Sequence, residues 1–562
     1  MALKSRDKHF RLPKISLLDF KTLEMDRVLT LLFARIHHKG EDSRLFKKDN
    51  TIDTFAAHFL SQPTRFKDFS KYPDITRGWL ETHLLDLVNR GKAGKEAVAA
   101  PRPLHGYTYR FRNPTHCRDY GASQHIYETL WHARNGIGER ALAGMKTFFF
   151  EGVDPNTQLE DTNALVDVET QALLSLNTSE VTQDAPLKDS RLRTPRLCIG
   201  SADLMADDIV RLLQYRTKIP RSVMVDYLKI LLAFHLALYH LRLMKLLPEL
   251  VKRKGLEPIC QLANCPAKPA NESRPQGDCT YQVSLFVDVQ NLPGTRVSQL
   301  AEISAELHYR RIPGFVRAYF LTKKLDEFAL HLLQSQRLPG GANKQLSVSE
   351  VLRLLEDGYR VDREQFFGSR MMSLEEDTIE DDNSLDPEVQ AVKNMQLDPL
   401  TTYVECLMAL RGDYQRTFVV RSLDSLLLKN RPGALLAQQR SKNSPRRFIL
   451  DSRLLEVLLQ IAVLRFDRDS GRYHSEEIQI DRLLVFLRER YGLHIDSLPR
   501  GEGFGEPTMA DCEAIRRNKA AFKNKLREIG FFQDLSDAYI TQHVTPRYRI
   551  NHQPVAAAGG AA

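Results

Sequence analysis

The 562-residue chain lacks the short motifs that mark most enzymes. It has no G-x-x-x-x-G-K-[ST], so a P-loop for nucleotide phosphates is excluded, and no H-E-x-x-H, so that zinc-hydrolase helix is excluded too. G-x-S-x-G and any methyltransferase- or kinase-type signature set are also missing. The closely spaced glycines of GEGFG, at 501–505, follow LHIDSLPR rather than a strand, so this run reads as a connector. The seven cysteines are odd in number and scattered, which fits a reducing compartment rather than a disulfide framework. Long apolar runs are lacking as well. The longest, ILLAFHLALYHL at 230–241, lies between Lys229 and Arg242 and falls short of the roughly 20 residues that span a bilayer. Lys4, Arg6, Lys8 and Arg11 make the start basic, but no apolar signal core follows them. The expectation is a cytoplasmic protein with no membrane span, no cofactor and no catalytic residues.

The 80 basic and 71 acidic side chains leave a net charge of +9, compatible with nucleic acid but equally with a mildly basic surface. The length is too great for one core, so two to four domains are expected. Periodicity predicts a mainly α, multidomain protein with minor β structure and a C-terminal winged-helix-like module. The expected units are an N-terminal helical domain over 1–100, a mixed and then helical core region over 101–251, and a proline-marked linker over 252–280. A middle domain follows over 281–372, then an acidic loop over 373–400, a C-terminal domain over 401–550 and a disordered tail over 551–562. Within these, GYTYRFR (106–112) alternates like a strand, 79–88 reads as helix, and 225–251 is apolar nearly all round, as a buried central helix would be.

The chain is organised around 446–548. RRFILDSRLLEVLLQIAVL predicts a helix over about 453–464 with Asp451 or Ser452 as cap. IQIDRLLVFLRERYG predicts a second over about 481–491, ended by Gly492 in a left-handed turn. A third is predicted over about 509–529, stopped by Gly530. On it Ile515, Phe522, Leu526 and Ile529 share one face, while Arg516, Lys523 and Arg527 fall in an arc of about 40° on its flank. Lys519 lies between the two groups. Arg440, Lys442, Arg446 and Arg447 precede the first helix. These bases make Arg516, Lys523, Arg527, Arg446 and Arg447 the candidate nucleic-acid contacts, with a solvated helix face as the plain alternative.

Other constellations are weaker. Cys260, Cys265 and Cys279 are spaced C-x4-C-x13-C and lack the fourth ligand of a structural zinc site. His116, Cys117, His125 and His132 match no zinc spacing. LFVDVQN (285–291) delivers Asp288 near the end of a strand, as NYN/PIN-like ribonucleases do. Metal-dependent cleavage needs several carboxylates, and Glu302, Glu306 and Asp326 end no second strand, so Asp288 reads as a turn or cap residue. His235 and Tyr239 lie one helical turn apart and read as a hydrogen-bonded core pair.

The C-terminal third, through SLDSLLLKN, RRFILDSRLLEVLLQIAVL, LRERYGLHID and DLSDAYITQHVTPRY, resembles a component of bacterial antiphage operons, the seventh of the methylation-associated defence system. It is distantly similar in layout to the G subunit of phosphorothioation-dependent restriction systems. The apolar helix at 227–247 and LFVDVQN fit the same pattern. The resemblance implies a role in a multi-protein complex whose ATPase, methyltransferase or kinase components supply the chemistry, and it carries over no catalytic motif. Double-stranded DNA as a further partner is the expectation from the basic C-terminal module, not from the resemblance.

Overall fold

The computed structural model describes residues 3–45, 51–61, 66–92, 95–153, 166–179, 184–188, 193–256, 282–341, 344–378, 385–439, 444–500, 503–532 and 543–551. The fold is mainly helical, and among the described residues its strands form two-stranded ladders only.

The helix Arg221–Lys252 is the axis of the molecule. It is long and apolar enough to cross a membrane, but 94% of its apolar window is buried inside the protein. The helices Ile199–Leu213, Ile312–Gln334, Pro399–Leu427 and Ser452–Ala462 pack around it. An apolar surface on every side is what such a position requires. Its polar side chains are matched one by one. Tyr239 donates to the Ile15 carbonyl at 2.7 Å, and His240 lies 2.9 Å from Ser16 Oγ. Arg242 donates to Ser201 Oγ at 2.7 Å, and His235 meets Asp208. The expected core pair His235 and Tyr239 is thus hydrogen-bonded, each to its own partner.

One apolar cluster draws its members from along the chain between Leu3 and Val544. The expected boundaries therefore do not separate cores. A satellite cluster holds Phe55, Phe59, Leu80, Leu84 and Leu173 under the N-terminal region. The strand Leu285–Phe286 pairs in parallel with Leu493–His494, and Asp288 bridges Ile449, so the middle and C-terminal regions share backbone hydrogen bonds.

Several local expectations change. GYTYRFR forms a 3-10 helix, Gly106–Phe111, because its polar positions are buried as well. Arg112 donates to the Tyr109 carbonyl, and the Arg110 guanidinium lies 4.4 Å from the Tyr107 ring centroid. Alternation of residue type therefore did not mean alternation of exposure. Residues 79–88 end the helix Pro73–Trp79, turn through Leu80–Leu84 and enter the strand Leu85–Val88. The expected acidic loop is helical at its start, because Arg360–Thr378 carries Glu375 and Asp377 into ion pairs with Lys393 and Lys4. Pro387–Lys393 follows as another helix. The cysteines Cys260, Cys265 and Cys279, most of the 252–280 linker, and 552–562 of the tail lie outside the described residues.

Candidate nucleic-acid interface

The three predicted C-terminal helices are Ser452–Ala462, Ile480–Tyr491 and Met509–Glu528. Asp451 accepts from Arg453 N and caps the first. Gly492 has φ +75° and ends the second. Thr508 and Asp511 form a reciprocal capping box at the start of the third. The sequence pattern did not show the hairpin Leu464–Asp467/Arg472–Ser475 between the first two helices. After the third helix, the described tail adds His543–Val544, which pairs with Ile478–Gln479.

The third helix is seated by its apolar face. Phe522 and Leu526 are fully buried, Ile515 packs beside Phe286 and Leu300, and Ile529 packs on the main cluster. Buried Asn518 fixes its height: the side-chain amide donates to the Val287 and Ile495 carbonyls at 2.9 and 3.0 Å and accepts from Val289 N at 3.0 Å. Two of these bonds clamp the helix to the segment on either side of Asp288, and the third ties it to the residue after the strand Leu493–His494.

The bases divide by what holds them. Lys519 donates to Asp481 at 2.7 Å, Arg517 to Glu513 at 2.6 Å, and Lys525 to the Leu450 carbonyl at 2.8 Å. Arg516 and Arg527 are exposed and Lys523 is half-buried. Arg527 donates to Asn524 and covers the Phe532 ring at 5.3 Å. Asp511 occupies the N-terminal end, where Arg296 and Thr508 donate to it. The Arg296 bond leads the causes that hold its carboxyl down at about 2. That carboxylate already complements the positive end of the helix dipole, which leaves the flank as the surface offered to an anion.

The other candidates are placed differently. Arg447 is buried, its guanidinium bonded to Asn291 and 3.7 Å from Asp288 Oδ2, so it faces the interior and not a ligand. Arg446 makes a two-point ion pair with Asp424, at 3.0 and 2.7 Å, and lies 4.9 Å from the Tyr309 ring centroid. The sequence shows the charge of these two candidate contacts but not the Asp424 carboxylate and the Asn291 amide that folding brings to them. Arg440 and Lys442 lie outside the described residues.

Asp288 is fully buried, and its Oδ1 accepts from Asn291 N at 2.9 Å, as a turn-capping residue does. Burial raises its carboxyl pKa despite the Asn291 bond and the Arg447 charge. Glu302 and Glu306 instead line a separate cleft with Arg296 and Arg310, and Asp326 pairs with Lys14. Among the described residues no three His, Cys, Asp or Glu side chains converge as a metal site would need. Because burial disfavours the charge, Asp288→Asn keeps the capping oxygen and removes an uncomfortable ion. We expect it to change stability by at most about 1 kcal/mol and to retain defence activity. A variant with native unfolding behaviour and no activity would instead make this carboxylate functional.

Sequence reasoning missed a second basic surface. Arg140, Arg216, Lys218, Arg472 and Arg549 come from four separate parts of the chain and line one cleft. Only the short spacing of Arg216 and Lys218 hinted at it.

The fold and these surfaces define a mainly helical protein with basic faces. Comparison with protein families places nearly the whole chain, residues 5–548, in the family described as methylation-associated defense system protein MAD7, and the chain belongs to that family. It is thus a component of an antiviral defence system. No curated protein and no solved structure matched it.

Proposed function

We propose that this component acts in the cytoplasm as a non-catalytic binding or assembly subunit, and that it contacts double-stranded DNA through the flank of the helix Met509–Glu528. In this reading the C-terminal region works as a winged-helix-like module, with this helix presenting its charge to the duplex. Other components of the system, among them an ATPase, methyltransferase or kinase, carry out the chemistry.

One observation carries the reading: Arg516, Lys523 and Arg527 project from a single flank of a helix whose opposite face is locked into the core. A rigid row of cations suits phosphate contacts, which position a protein without reading sequence.

Changing all three residues to Gln keeps length and helix propensity and removes the charge. Each phosphate contact contributes about 0.9 to the slope of log affinity against log salt, so the slope for duplex DNA should fall by about 2 to 3. Circular dichroism should be unchanged. An unchanged slope, or no duplex binding by the native protein or its complex, would make the subunit a scaffold without nucleic-acid contact.

A further inference from the structure

The missed cleft has a volume of about 690 Å³ and lies far in sequence from most of the basic helix. Its walls are the helix Ile137–Phe149, the loop between Ile199–Leu213 and Arg221–Lys252, the hairpin Leu464–Ser475, and the final described segment. Each wall is anchored. In the loop, Tyr215 is fully buried and donates to the Gln460 carbonyl at 3.0 Å. The final segment is held to the hairpin by Ser475 N donating to the Ile550 carbonyl and Ile550 N donating to Ser475 Oγ, at 3.0 and 3.1 Å.

The charge is one-sided. No Asp or Glu is among the described residues that line the cleft, while Arg140, Arg216, Lys218, Arg472 and Arg549 do. Arg140, Arg216, Lys218 and Arg549 are exposed and make no ion pair among the described residues. Arg472 sits opposite Asp467 in the hairpin register, so its charge counts for less. The nearby carboxylate Asp207 is already engaged by Arg211 and Arg490. Unpaired like charges brought together on a rigid wall repel one another, and an anion relieves that repulsion.

Aromatic surface lies beside these cations. Phe466 and Tyr473 are cross-strand partners on the hairpin, with ring centroids 5.0 Å apart. Tyr473 is half-buried and packs on the core, whereas Phe466 is 36% exposed at the cleft. A duplex hides its base faces and gains nothing from an exposed ring. An unstacked base gains stacking, and its phosphate gains the cations.

We infer that this cleft binds a nucleotide unit, with the phosphate among Arg140, Arg216, Lys218 and Arg549 and the base against Phe466. A single strand of nucleic acid is the source that an open cleft with several cations fits best, and a free nucleotide presents the same chemistry. The inference does not depend on the duplex contact of the basic helix.

The test uses the purified full-length chain and a fluorescein-labelled oligothymidylate of about ten nucleotides, within the usual span of single-strand sites. Thymidine triphosphate, inorganic phosphate and a blunt duplex serve as competitors. The exposed-site variants Arg216→Glu/Lys218→Glu and Phe466→Ala should melt like the native protein. The charge reversal should weaken oligothymidylate binding at least about tenfold, and the ring removal at least about fivefold. The Gln triple variant of the basic helix should bind the oligomer as the native chain does. Displacement by the triphosphate at equal concentration supports the site and assigns it to a free nucleotide, and weaker displacement assigns it to a strand. Equal displacement by inorganic phosphate, insensitivity to both cleft variants, or no binding by the native chain would overturn the inference.

Discussion

Asp208→Ala is expected to destabilise the protein by about 3–5 kcal/mol, because it breaks a buried ionic cluster from one side. Asp208 is fully buried on the helix Ile199–Leu213. Its carboxylate accepts from Arg490 Nε at 3.0 Å and Tyr491 Oη at 2.8 Å, and lies 2.9 Å from His235 Nε2. Asp207, beside it, also meets Arg490. The cluster joins three helices, and its loss would leave the Arg490 guanidinium buried with half its partners gone.

The same carboxylate gives a pH signature. Burial pushes its pKa up, but the Arg490 charge and the His235 contact outweigh burial and hold it at about 2. The folded pKa thus lies below the unfolded value of about 3.9. Its contribution, about 2–3 kcal/mol, is fully present above pH ~4 and lost as pH falls through 2. Other carboxylates titrate in that range, Asp511 among them, so the quantity to measure is the difference between native and Asp208→Ala unfolding free energies across acid pH. That difference should shrink as the solution is acidified. A difference that stays level from neutral to acid pH would show that the cluster contributes no ionic stability.

Gly492→Ala is the second large effect. Gly492 has φ +75°, and a Cβ there would overlap the Val283 carbonyl, which is backbone and cannot swing aside. Left-handed strain alone costs roughly 1–2 kcal/mol. The overlap would also part the Gly492 carbonyl from Leu285 N, now at 2.7 Å, and open the parallel pair Leu285–Phe286 with Leu493–His494. We expect a total loss of about 3 kcal/mol or more. Gly471 in the hairpin turn is the control, since it has φ +64° and no atom near its would-be Cβ. Gly471→Ala should cost only the conformational strain, about 1 kcal/mol. Denaturant melts of the two variants check this, and equal losses would show that the Val283 contact does not matter.

These two sites show where the sequence could be read and where it could not. Gly492 was visible as a helix stop, because a glycine after an amphipathic run marks a left-handed cap. That the turn also lies against Val283, some two hundred residues earlier, was not visible. Likewise His235 read as a core histidine from the apolar helix around it, but nothing local pointed to Asp208 or Arg490 as its neighbours. The candidate contacts behaved in the same way. Arg516, Lys523 and Arg527 depended on helical periodicity and came out on one flank. Arg446 and Arg447 depended on charge alone, and Asp424 and Asn291 claimed them.

By itself the sequence determined the three C-terminal helices, the Asp451 cap and the burial of the central apolar helix, since capping and amphipathic periodicity act within a few turns of the chain. The turn role of Asp288 was equally local, because its partner is three residues away. Tertiary structure alone decided that the expected units share one core, since parallel pairing and helix packing join segments hundreds of residues apart. It also decided which cations are neutralised and which converge. Charge is a property of a residue, but its screening depends on carboxylates brought near by folding. For that reason the cleft of Arg140, Arg216, Lys218 and Arg549 has no signature along the chain beyond the short spacing of Arg216 and Lys218.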